Sequence, residues 1–222
     1  MSGRETTCWT MIRDAAAGDD DGRRAFAARY ADAVRGYLVA RWRGTGYIQS
    51  LDDAVQEVFV ESFRDGGALE RVDDDRPGGF RAYLYGLVRN VALRVETRAA
   101  RSKEGQAPTA MLDGPDEARL SRVFDRSWAR SIMRDAARRM DQYATDDDAR
   151  RHVELLHLRF GEGMPIRDIA ARWEADPVQV HRQYAKARAA FREALLEVVA
   201  EHVPGDPAAA ERECGELLAM LE

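Results

Sequence analysis

MPIRDIAARWEADPVQVHRQYAKARAAF, residues 164–191, decides the fold class. Pro165 suits the first turn of a helix, where its missing N–H costs nothing. Ile166, Ile169, Ala170 and Trp173 then form one apolar face at helical spacing. Glu174-Ala175-Asp176 makes a tight turn. Asp176 is a good N-cap and Pro177 a good first residue for the next helix. On that helix Val180, Tyr184, Ala187 and Phe191 point to one side. The opposite side holds Val178, Gln179, Arg182 and Lys186, with His181 and Arg188 flanking it. An amide, a guanidinium and an ammonium on the outward face of the second helix of such a pair suit the major groove of DNA. The N-terminal outward residues would meet base edges, and Lys186 and Arg188 would meet phosphates. The plainer alternative is an αα-hairpin with a solvated basic face. Glu174 falls where a helix-turn-helix turn goes left-handed and favours Gly, at a cost of roughly 1 kcal/mol.

Outward from this stretch the periodicity stays helical, and no alternating strand or hairpin turn is convincing. Helices are expected at 7–17, from Asp19–Asp21 to about Arg43, and at 51–64, 79–100, 117–142, 146–160, 165–173, 177–201 and 207–221. Residues 101–116 (RSKEGQAPTAMLDGPD) have no periodicity and the composition of a linker. The expected fold is all-α: two helical domains, 1–100 and 117–201, joined by a flexible linker at 101–116. The second domain contains the helix-turn-helix. An acidic C-terminal tail, 202–222, follows. In it Ala210, Cys214, Leu217, Leu218 and Leu221 share one helical face. The expectation is that this tail packs on 117–201, either over its basic face or as an extension of its core.

The 222 residues are 45% hydrophobic and 33% charged, enough for a real core. No run approaches 18 apolar residues, so no membrane span is expected, and no signal peptide is evident at the N-terminus. Cys8 and Cys214 sit at opposite ends. The lack of a CxxC pair or an HExxH motif argues against structural zinc, a metal site or a disulfide framework. His152 and His157 stand five apart, a poor ligand spacing. No Gly-rich phosphate loop or nucleophile motif occurs, so neither an enzyme nor a bound cofactor is expected. A cytoplasmic protein is the default. Net charge is −5, but it is segregated. Residues 76–103 carry +6 and 150–192 carry +4, while 193–222 carry −7. Separate basic blocks in an acidic chain suit a polyanion touched at two places.

Two further stretches complete the pattern. LDDAVQEVFVESFR (51–64) is an acidic amphipathic helix, and GGFRAYLYGLVRNVALRVE (78–96) is aromatic and basic. In this order, before a linker and a helix-turn-helix, they resemble an RNA polymerase sigma factor of the extracytoplasmic-function, sigma-70-like family. The resemblance covers about 20–100 (region two) and 117–198 (region four). It implies that Asp52, Asp53, Gln56 and Glu57 dock on the RNA polymerase core. It implies that Arg81, Tyr83, Arg89 and Asn90 engage the −10 element and its unpaired strand, work that suits aromatic and basic side chains. Tyr83 has a second reading, as a core aromatic. The −35 element would fall to Val178, Gln179, His181, Arg182, Lys186 and Arg188. Implied partners are the polymerase core and promoter DNA, with an anti-sigma factor or other regulatory protein as a further class. The chain departs from the family in the loop VDDDRPGG, where Asp73, Asp74 and Asp75 would repel phosphates. It departs again at Gln179, His181 and Arg182, so no −35 sequence carries over. The alternative function is a helix-turn-helix regulator acting without the polymerase. The joint presence of the acidic and the basic helix separates the two readings, since a regulator needs neither.

Overall fold

A computed structural model describes residues 11–12, 14–15, 17–64, 79–102, 116–202 and 207–219. The linker core at 103–115, the VDDDRPGG loop up to Gly78, and Cys8 lie outside the described residues. Among the described residues the fold is all-α, as the periodicity predicts. Eight helices follow in order: α1 Asp20–Trp42, α2 Leu51–Phe63, α3 Gly79–Ser102, α4 Glu117–Tyr143, α5 Asp147–Leu156, α6 Ile166–Arg172, α7 Pro177–Ala200 and α8 Pro207–Ala219. A short 3-10 turn, Gly46–Ser50, joins α1 to α2, and a π turn, His157–Gly161, ends α5. The Asp19 carboxylate caps α1, accepting from the Gly22 N–H at 2.6 Å.

The chain forms two compact units. Residues up to Ser131, together with those from Glu201 onward, form the first; Ile132–Ala200 form the second. The division falls within α4 rather than at 101–116. The reason is aromatic packing. Trp128 of α4 stacks on Tyr30 of α1, with ring centroids 5.0 Å apart and planes 9° apart. It also meets Phe80 of α3 and Phe124 one turn back. Phe124 in turn meets Tyr85 edge-on. Phe26, Tyr30, Phe80, Phe124 and Trp128 are all essentially inaccessible to water. Gly36 lets α4 come close to α1: a Cβ there would stand 2.8 Å from the Ser127 hydroxyl.

The tail corrects the expectation drawn from charge. Residues from 201 onward belong to the first unit, not to the helix-turn-helix unit. Buried His202 shares a hydrogen bond with the Tyr30 hydroxyl at 3.3 Å and sets its ring edge-on to Trp128. On α8, Ala210, Cys214 and Leu217 are buried, as the helical face predicts. Apolar contact and the His202 anchor decide where the tail sits, because screening at physiological salt leaves little long-range pull between blocks of opposite charge. Leu221 and the side chain of Leu218 lie outside the described residues.

Trp128→Ala tests the displaced boundary. The substitution should destabilise the first unit by about 3–5 kcal/mol. Amide exchange in α1 and α3 should accelerate together. Unchanged protection there would mean that α4 is not part of that core.

Candidate nucleic-acid interface

α3 forms because Phe80, Leu84, Val88 and Val91 recur at helical spacing, and all four are buried, with Ala92 beside them. Its polar residues divide. Arg81, Tyr85 and Arg89 follow one another at intervals of four and share a side. That side meets α4. Arg81 pairs with Asp125 at 3.7 Å and Arg89 with Glu117 at 3.3 Å. The Tyr85 hydroxyl donates to Glu117 at 3.0 Å. Burial first, then that bond, pushes the Tyr85 phenol up to about 12. Asn90 and Tyr83 lie away from this stripe. Asn90 is exposed, while Tyr83 is half-buried with its ring 6.0 Å from Phe80. The four residues expected at the −10 element are therefore not one cluster.

Below them lies the most enclosed charge of the unit. Buried Arg41 gives two hydrogen bonds to the Glu96 carboxylate, at 2.7 and 3.0 Å. It also donates to the Tyr37 hydroxyl and to Glu117, both at 3.2 Å. The Trp42 indole N–H donates to Glu96 at 2.8 Å. Burial alone would raise the Glu117 carboxyl. The bonds from Tyr85 and Arg41 and the charges of Arg89 and Arg41 outweigh that and hold it below the usual carboxylate range.

α2 carries the acidic face. Asp53 and Gln56 are exposed. Asp52 is exposed and pairs with Arg35 of α1. Glu57 differs from these three. It is half-buried and bonded to Arg98 at 2.7 and 2.8 Å, with Arg94 at 3.4 Å.

These three helices coincide with the part of the chain that is similar to a known family. Residues 26–102 match the family model of sigma-70 region 2. The match supports a sigma-70 family member with a general role in promoter recognition and melting, and so in transcription initiation by RNA polymerase. No curated protein matches the chain. Region 2 takes in α2, α3 and most of α1, and the match ends at Ser102, before α4 begins. Glu117, Asp125 and Trp128, which complete the compact unit around region 2, thus lie outside the matched segment.

The second unit holds the helix-turn-helix. α6 ends at Arg172, and Glu174 adopts φ +50°, the left-handed position expected of it. The Glu174 N–H bonds to the Ala171 carbonyl at 3.2 Å and the Ala175 N–H to the Ala170 carbonyl at 2.9 Å. That is the Schellman pattern. Ala170 and Ala175 both pack in the core cluster with Ile166, Ile169, Val180 and Ala187. Asp176 accepts from the Val178 N–H at 3.1 Å, and Pro177 opens α7. Pro165 stands one residue earlier than expected, as the N-cap of α6, because its ψ of 150° is extended rather than helical. Val178, Gln179, His181, Arg182, Lys186 and Arg188 are all exposed on α7, whereas Val180 and Ala187 are buried. Arg188 lies 5.8 Å from the ring centre of Tyr184. Among the described residues no helix is long and apolar enough to cross a membrane, and no cluster of metal-binding side chains occurs.

Sequence reasoning missed Arg41, Tyr85, Glu96, Glu117, Asp125 and Trp128. A signal existed: Leu120, Phe124, Trp128, Ile132, Ala136 and Met140 recur every four residues along α4 and all are buried. At 3.6 residues per turn that spacing winds the buried line about 200° around the helix between Leu120 and Met140, which does not say where one unit ends and the other begins.

Glu174→Gly should stabilise the second unit by about 1 kcal/mol by relieving the left-handed strain. Thermal unfolding of the full chain checks this. A loss of stability would mean that the Glu174 side chain contributes more than its backbone costs.

Proposed function

We propose that this protein is a sigma factor of the extracytoplasmic-function type. In this reading α2 binds the polymerase core, α3 opens and holds the −10 element, and α7 reads the −35 element as duplex. The observation that carries it is the presence, in one chain, of a region 2 match and of a Schellman-turned helix-turn-helix with an exposed polar face. A stand-alone regulator has no use for a region 2. Asp52, Asp53, Gln56 and Glu57 supply the core-binding face, with Asp53 and Gln56 exposed, Asp52 paired with Arg35 and Glu57 with Arg98. Gln179 and Arg182, near the start of α7, suit base edges, and Lys186 and Arg188 suit phosphates. Val178 and His181 border the base-reading positions. The family's work is non-enzymatic: the polymerase supplies the chemistry and this subunit the address. Its site of action is then the cytoplasm, where an anti-sigma factor is the natural class of regulator.

Reconstitution with core RNA polymerase tests the reading. Asp53→Lys should weaken recovery of polymerase in a pull-down while leaving helical content unchanged, because the residue is exposed. Undiminished recovery would remove α2 from the core interface. In run-off transcription from a −35 library, Gln179→Ala and Arg182→Ala should relax discrimination at particular positions by roughly 1–3 kcal/mol. Lys186→Ala should instead weaken all sequences alike and lower the salt dependence. Identical responses in the three variants would overturn this division of labour.

A further inference from the structure

Arg81 and Arg89 are the cations that the −10 reading assigns to the promoter strand, and both face carboxylates of their own chain. Asp125 stands 3.7 Å from Arg81, and Glu117 stands 3.3 Å from Arg89. A third carboxylate, Glu213 of the tail helix α8, lies half-buried within electrostatic reach of Arg81 and Asp125. None of the three belongs to the matched region 2 segment, which ends at residue 102. Two come from the helix after the linker and one from the C-terminal tail. Phe124 and Trp128 bring α4 to α3 by aromatic packing, while the tail is held in the same unit by His202 on Tyr30 and Trp128 and buries Cys214 and Leu217.

We propose that Glu117, Asp125 and Glu213 close this face against DNA, holding Arg89 and Arg81 in the place of promoter phosphates, so that strand engagement requires their exchange. The proposal rests on the reading of α3 as the −10 helix. Its physical basis is charge balance. A guanidinium already facing carboxylates gains little from a phosphate unless a carboxylate leaves, and the remaining carboxylates repel the incoming strand. Burial raises the Glu213 carboxyl, and the Arg81 charge works against that rise. Glu117 is the firmest of the three, since it also accepts from Arg41 and Tyr85. Asp125 and Glu213 are the ones whose exchange leaves the Arg41 network intact.

The experiment uses full-length protein bound to core polymerase. The probe is a fluorescein-labelled single-stranded oligonucleotide spanning the −10 element of a promoter that this holoenzyme transcribes. Asp125→Asn with Glu213→Gln should tighten binding, and adding Glu117→Gln should tighten it further. With both guanidiniums freed, the slope of log affinity against log salt should steepen by about 1.4, from about 0.7 per single-strand phosphate contact. The gain should vanish when Arg81→Ala and Arg89→Ala are introduced into the same chain. A gain that survives without the two arginines is general electrostatics and overturns the proposal. So does an unchanged affinity in the neutralised chain while Arg81→Ala and Arg89→Ala weaken binding in the parent. In that case the −10 reading stands and the closed face falls. If neither the arginine variants nor Asn90→Ala affects binding in any background, the −10 reading itself fails. The double variant keeps the test independent of Glu117, whose neutralisation also loosens the docking of α4.

Discussion

The stacking of Trp128 on Tyr30 is the contact on which the first unit depends. The two rings lie nearly parallel at 5.0 Å, and each also meets Phe80. Three helices, α1, α3 and α4, thereby share one aromatic core. His202 adds the chain beyond α7 to the same core by meeting both Tyr30 and Trp128. Aromatic rings bury large areas and favour stacked and edge-on contacts, so a few of them can fix helices whose backbones stay apart. Region 2 in this chain is completed by segments far from it in sequence.

That completion has an electrostatic consequence. Bringing Phe124 and Trp128 against α1 and α3 also brings Glu117 and Asp125 to the basic side of α3. Arg41 sits beneath, enclosed, and held by Glu96 and Glu117. A buried guanidinium without carboxylate partners would be costly, so Glu96 and Glu117 are tied to Arg41 more strongly than any exposed pair would be. The exposed pairs on α2, such as Asp52 with Arg35, carry no such constraint and remain available to a partner.

The second unit solves a different problem. Its turn is built by backbone hydrogen bonds and small apolar residues, and Glu174 stands where Gly would be unstrained. Ala170 and Ala175 close the turn against the core. This leaves the outward face of α7 free of packing duties, and its polar side chains are exposed. Buried apolar and exposed polar residues thus occupy different sides of one helix.

The sequence by itself determined the helices, the turn of the helix-turn-helix and the left-handed place of Glu174, because these follow from periodicity, caps and local sterics. It also marked α2 and α3 as acidic and basic faces, since composition along one helix is local information. Tertiary structure alone decided to which unit each half of α4 belongs, where the tail sits, and that Arg81 and Arg89 face Asp125 and Glu117 while Asn90 faces solvent. Buried residues recur every four positions along α4 from Leu120 to Met140 without a gap, so no break in spacing marks the unit boundary. The tail offered the same ambiguity: its charge pointed to the basic block beside it, yet the position of His202 and its apolar face was set by rings that lie more than 70 residues away in sequence. Long-range aromatic packing leaves no trace in local periodicity, and it outweighs a screened attraction between charged segments.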